Sequence, residues 1–145
     1  MIKGLDLWDR VSTSDPKYLK EIKFGARKFT AIDAHYQIKS ITKVFGPVGE
    51  GWGYHVDTII HNLSPDDTVV IANVSVWHSG SPSKVFGPVS GCKSLMRNGK
   101  VDEDAPKKAM TDGLTKALSH LGFNADVFLG EFDDNKYTDK VKGDW

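Results

Sequence analysis

One segment constrains the fold of this chain more than any other: DAPKKAMTDGLTKALSHLG, residues 104–122. Met110, Leu114, Ala117, Leu118 and Leu121 recur at the spacing of three and four that aligns them along one stripe of an α-helix. Asp104 supplies an N-cap, Pro106 sits in the first turn, where its missing N–H is no loss, and Gly122 closes the helix. The opposite side carries Lys107, Lys108, Thr111, Asp112, Thr115, Lys116 and Ser119. A helix of this kind has to bury its stripe against a second layer.

The chain upstream supplies that layer. GWGYHVDTIIHNL is rich in aromatic and β-branched residues, and the SPDD at 64–67 is a turn signature. TVVIANVSVWHSG alternates with period two, placing Val70, Ala72, Val74 and Val76 on one face. SGSPS makes a second turn and KVFGPVS a short third strand, whereas GCKSLMRNGKVDED has no clear period and reads as a loop. Before the strands, AIDAHYQIKSITKVFG spaces Ile32, Tyr36, Ile38, Ile41, Val44 and Phe45 for an amphipathic helix. Asp33 lies in its first turn, and Gly46 with Pro47 ends it. The expected class is therefore α+β. A three-stranded antiparallel meander precedes a long helix packed on it, a β-β-β-α core, and an amphipathic helix comes before the strands.

KVFGPV occurs twice, at Lys43–Val48 and Lys84–Val89. The flanks do not match, and a true repeat keeps both period and context. The two copies read as separate Gly-Pro turns, one at a helix end and one at the end of the third strand.

At 145 residues the chain is expected to form one main domain over 30–137, with a basic arm or short helix over 1–29 and an acidic, mobile tail over 138–145. Net charge is zero but uneven. Residues 1–28 hold seven Lys/Arg against four Asp/Glu, whereas 101–145 hold six against ten. A basic front with an acidic tail is compatible with nucleic-acid binding, and equally with two solvated surfaces. The single cysteine, Cys92, excludes an internal disulfide framework and fits a reducing compartment. MIKGLDLWDR lacks the apolar core of a signal peptide, and no segment has the roughly 18 apolar residues of a membrane span. A soluble, cytoplasmic protein is expected.

GPVSGCKS (87–94) is one substitution from a phosphate loop, but Cys92 replaces the glycine that lets backbone amides close on phosphate, and no helix follows directly. GEGWGY follows a helix and precedes a strand, the reverse of the order a dinucleotide fingerprint needs. His35, His55, His61, His78 and His120 show no metal-ligand spacing, and Asp66–Asp67 and Asp133–Asp134 lie in turn-like or acidic surroundings. These patterns nominate no enzyme and no cofactor. What remains is lysine with aromatics: Trp52, Tyr54 and Trp77 fall on strands, where they either stack bases or pack between layers. Packing is the better reading for Trp77.

KKAMTDGLTKALSHLG (107–122), followed by FNADVFLGEFDDNKY, resembles the signature helix of the Rad fifty-two family of single-strand annealing proteins. IKSITKVFGPVGEGWGYHV resembles that family's helix ending in a Phe-Gly turn and the Gly-Trp opening its first strand. VVIANVSVWHSG and VFGPVSG resemble the next two strands. The likeness covers about residues 30–137, and small versions of the domain are typical of phage recombination systems. The resemblance implies a homo-oligomer, as a ring or helical array, that winds single-stranded DNA through a basic groove and anneals complementary strands without a nucleotide cofactor. It also implies a single-strand-binding protein or a nuclease as a further partner, and, for a phage-encoded chain, the host cell cytoplasm.

By position in that motif, Lys116 takes a basic place of the signature helix and is the first choice for a phosphate contact. Lys107 opens the motif and Lys108 adds a charge beside it. Thr115 and Ser119 depart from the pattern. Tyr36 falls about where the family places a DNA-contacting arginine, and Lys39 and Lys43 are the residues to replace that charge. Lys84, Lys93 and Arg97 are further contacts around the third strand, and Trp52 is the candidate for base stacking. Thr115, Ser119 and the zero net charge support an alternative: a protein-interaction or regulatory module of the same fold that has lost DNA binding.

Overall fold

The computed structural model describes residues 4–24 and 27–129, with the backbone alone at 22–24 and 27–31. The expected tail at 138–145, and Asp133–Asp134, lie outside the described residues. In chain order the elements are α1 (Asp6–Val11), a 3-10 turn (Pro16–Tyr18), β1 (Leu19–Phe24), β2 (Arg27–Ile32) and α2 (Ala34–Phe45). Then come β3 (Trp52–Ser64), β4 (Asp67–His78), β5 (Val85–Arg97), β6 (Lys100–Val101), α3 (Ala105–His120) and α4 (Ala125–Phe128). The fold is α+β with a curled antiparallel four-stranded sheet in the order β3-β4-β5-β6. Two compact units divide the chain: Thr42–Leu118, and Met1–Ile41 together with Ser119–Trp145.

In the first of these units β4 is the core strand. Val70, Ala72, Val74 and Val76 are all 0% exposed, and the residues between them are half-buried. Each buried valine contributes on the order of 1.5–3 kcal/mol by leaving water. The stripe of α3 covers this face: Ala105, Ala109, Leu114, Ala117 and Leu118 are buried, and Val56, Leu95 and Met110 pack around the cluster of Val70, Ala72, Ala105 and Ala109.

Two glycines set how closely helix and sheet approach. Gly91 pairs with Ala72 across β4 and β5, and a Cβ there would overlap the Ala109 carbonyl oxygen and the Gly113 amide nitrogen. A Cβ on Gly113 would come within 2.8 Å of Val74 Cγ2, 3.1 Å of Gly91 N and 3.2 Å of the Ala72 carbonyl oxygen. The backbone of α3 therefore lies directly on the backbones of the two central strands.

Several expectations change. The segment read as an aperiodic loop after Gly91 is instead the second half of a 13-residue strand, followed by a tight hairpin into β6. Asn98 and Gly99 turn the chain with φ of 52° and 77°, the left-handed pair that a two-residue hairpin loop needs. That Asn-Gly was the signal, masked by the poor alternation of LMR before it. The second KVFGPV does not end the sheet. It enters β5, where Gly87 and Pro88 together oppose Ser75, because Val74 pairs with Val89 and Val76 with Phe86. That is a bulge, two residues against one. The first copy ends α2 as expected: Gly46 has φ 104° and its N–H donates to the Thr42 carbonyl at 2.8 Å.

In the second unit, the stretch expected as a basic arm or short helix forms α1 and then a hairpin. β1 and β2 pair from Leu19↔Ile32 to Phe24↔Arg27. The crowd of lysines hid the strand pattern. Asp33 caps α2, accepting from the His35 N–H at 2.8 Å. The apolar run after α3 becomes a buried polar clasp. Asp126, 2% exposed, accepts from the Ser14 N–H at 2.8 Å and the Ser14 hydroxyl at 2.6 Å. Asn124, in a left-handed conformation with φ 57°, donates through Nδ2 to Ser14 Oγ at 2.9 Å. Gln37 Nε2 donates to the Phe123 carbonyl at 3.2 Å. Paired polar groups of this kind hold a segment that would otherwise strand donors out of water.

Candidate nucleic-acid interface

The strand register decides which candidate residues share a face. Side chains alternate along a strand, and directly opposed residues point the same way. The face covered by α3 carries Val74 and Ala72 of β4, and hence Tyr54, Val56, Thr58 and Ile60 of β3 and Val89, Gly91 and Lys93 of β5. Lys93, exposed and opposite Val70, thus lies on the α3 side, two residues from the Gly91 that touches α3. The exposed lysines of α3, Lys107, Lys108 and Lys116, border the same layer. With exposed Tyr54 these residues share the helix-bearing side of the sheet, but Lys107 and Lys116, nine residues apart, project from opposite flanks of α3.

Its electrostatics are mixed. Lys108 Nζ donates to Asp102 Oδ2 at 2.9 Å, and Lys116 Nζ to Asp112 Oδ2 at 3.0 Å, one turn back on α3. The hydrogen bond from Lys108 holds the Asp102 carboxyl below its ordinary value, and Asp102 in turn raises the Lys108 ammonium. Such exposed pairs are weak, and a phosphate can exchange for the carboxylate. Among the described residues, Lys39, Lys43, Lys84, Lys93 and Lys107 take part in no ion pair.

Other expected contacts fall elsewhere. Arg97 donates to Ser94 Oγ at 3.1 Å, and Ser94 pairs with Val69 on the face away from α3. Lys84 precedes β5 in the turn closed by its own N–H to the Ser81 carbonyl. Lys39 and Lys43 are exposed and one turn apart on α2.

One candidate needs correction, and another has a second role. Trp52 is 0% exposed and donates through Nε1 to Thr42 Oγ1 at 3.2 Å, so no base can stack on it. Its even register position places it among the core residues of the α3 face. Tyr36 is half-buried within the second unit. Its hydroxyl accepts from the Asp15 N–H at 3.1 Å, and its ring stacks on Tyr18 at a centroid distance of 4.3 Å. Burial raises its pKa. Tyr36 therefore fastens its own unit through its hydroxyl and its ring.

Trp77 is the aromatic that sequence reasoning undervalued. It is half-exposed on the face away from α3 and lies flat across Gly53, where a Cβ would meet its ring at 2.6 Å. The signal was the Gly53 opposite Trp77 in the hairpin register. GPVSGCKS forms extended strand and bulge, with Gly91 used for helix contact rather than as a phosphate cradle. Among the described residues no three His, Cys, Asp or Glu side chains converge on a metal position, and no helix is long and apolar enough to cross a membrane.

A scan against protein-family models and a search of curated proteins both found no match to this chain.

Proposed function

We propose that this protein binds single-stranded DNA and anneals complementary strands as an oligomer, without a nucleotide cofactor. The observation that carries the reading is the seat of α3. The TDG segment of the signature-like helix puts Gly113 onto Ala72, Val74 and Gly91, which turns Lys107, Lys108 and Lys116 outward. Lys93 adds charge from the strand on the same side. In this reading the lysines follow phosphates and leave bases free to search for their complement, and the release of counterions supplies the affinity.

The second reading, a protein-interaction or regulatory module that has lost DNA binding, draws support from the ion pairs of Lys108 and Lys116, which offset part of the helix charge. Complementary fluorescent oligonucleotides separate the two. Annealing faster than the protein-free rate, with binding that weakens by a log–log salt slope of roughly −0.7 per phosphate neutralised, supports the first. No acceleration at low and moderate salt, together with no gel shift, sinks it and leaves the second.

A further inference from the structure

β3 is an edge strand of the four-stranded sheet, 13 residues long, and its second half is exposed on both faces. Ile59 is 46%, Ile60 59% and Leu63 66% exposed. Its far edge carries a row of backbone donors and acceptors that no other strand among the described residues pairs with. Natural edges are blunted by lysine, proline, bulges or shortness. Residues 55–63, HVDTIIHNL, contain no lysine and no proline, and the register to β4 is regular as far as Asn62. Such an edge calls for a strand to cover it.

The sequence of this edge is complementary to itself. We propose that β3 pairs antiparallel with β3 of a second copy about a two-fold axis at Ile59. In that register Ile59 opposes the partner's Ile59, and Asp57 opposes the partner's His61, a carboxylate acceptor facing an imidazole donor, twice by symmetry. On the other face, Thr58 opposes the partner's Ile60 and Val56 the partner's Asn62. The same register sets His55 against the partner's Leu63, so what singles it out is the Asp57–His61 pair: an axis at Ile60 sets Asp57 against the partner's Leu63, an axis at Thr58 sets His55 against the partner's His61, and both lose that pair. A two-fold axis perpendicular to the sheet keeps each face continuous, which leaves both α3 helices on one side of a joined sheet. The pairing is isologous, unlike the head-to-tail contact a ring requires, and it stands independently of DNA binding.

Sedimentation equilibrium and disulfide trapping of the full chain test it. The wild-type protein is expected at twice 16.0 kDa or an even multiple of that. Ile59→Lys, which sets like charges opposite each other at the axis, weakens association by about tenfold or more. In a Cys92→Ser background, Ile59→Cys cross-links to dimer under mild oxidation, because residue 59 faces itself. Leu63→Cys, whose two copies lie at opposite ends of the paired strands, does not. A single-chain mass, an odd subunit number, or equal cross-linking by the two cysteine variants overturns the proposal. Annealing activity measured on the same samples reports separately on the DNA reading.

Discussion

Replacing Gly91 with alanine is the sharpest test of how α3 is seated. The new methyl would overlap the Ala109 carbonyl oxygen and the Gly113 amide nitrogen and stand 3.0 Å from Gly113 Cα. All three are backbone atoms, so no side-chain rotation relieves the contact. To regain a van der Waals separation of about 3.4 Å, the helix has to retreat by on the order of 1 Å. A gap of that size forfeits roughly a quarter to a half of each dispersion contact across the interface, and the interface holds the buried faces of Val70, Ala72, Val74, Ala105 and Ala109. Overpacking typically costs about 1–3 kcal/mol, and a wholly backbone clash belongs at or above the top of that range.

Gly113→Ala supplies the internal comparison. Its methyl meets one side-chain atom, Val74 Cγ2, at 2.8 Å, and backbone atoms only at 3.1 and 3.2 Å. A helix-interior alanine also recovers about 1 kcal/mol relative to glycine. The net loss should be about 0–2 kcal/mol. Urea unfolding followed by circular dichroism at constant slope measures both. The expected order is Gly91→Ala well above Gly113→Ala. A cost below about 1 kcal/mol for Gly91→Ala, or the reverse order, would refute the flush seating of the helix.

Asp126→Ala strips the acceptor from the Ser14 amide and hydroxyl; it should cost about 3 kcal/mol and speed amide exchange at Ser14, and unchanged exchange would count against the clasp. His78, stacked on Phe45 at 4.7 Å, has its pKa lowered from 6.5 by burial. Protonation therefore favours the unfolded chain: the stability of the neutral ring is complete above the ordinary value and is lost as pH falls through the lowered one. A proton NMR titration should place the His78 midpoint below the ordinary imidazole value of 6.5, and His78→Gln should flatten stability across that window. If α3 binds DNA, Lys116→Ala reduces the salt slope by about 0.7. Asp112→Asn, which removes a negative charge 3.0 Å from the Lys116 ammonium, raises affinity at low salt, so a weaker gel shift from that variant would contradict the phosphate-contact role.

The elements legible in the sequence were those whose pattern is local. The alternation of Val70, Ala72, Val74 and Val76 gave β4, all four buried. Met110, Leu114, Ala117 and Leu118 gave α3, and Gly46 gave the end of α2 with its positive φ. The β1–β2 hairpin was missed because lysines break its alternation, and the β5–β6 hairpin because Asn98-Gly99 follows a stretch with no clean period. The candidate site was only partly readable. Lysines on the polar side of a helix can be counted from spacing, and so can the i,i+4 partner of Lys116, Asp112; the partner of Lys108 could not be, because Asp102 reaches it from outside the helix.

Sequence by itself determined where apolar residues must hide and where the chain can turn, because both follow from period and from the φ/ψ freedom of single residues. Tertiary structure decided which of two tryptophans is sealed from solvent. Trp52 and Trp77 look alike on adjacent strands, yet cross-strand register puts Trp52 under cover at 0% exposed and lays Trp77 over Gly53 on the other face. It also decided what the glycine of GPVSGCKS is for. A glycine can serve a phosphate, a turn or a close helix contact, and only the approach of Ala109 and Gly113 selects the third.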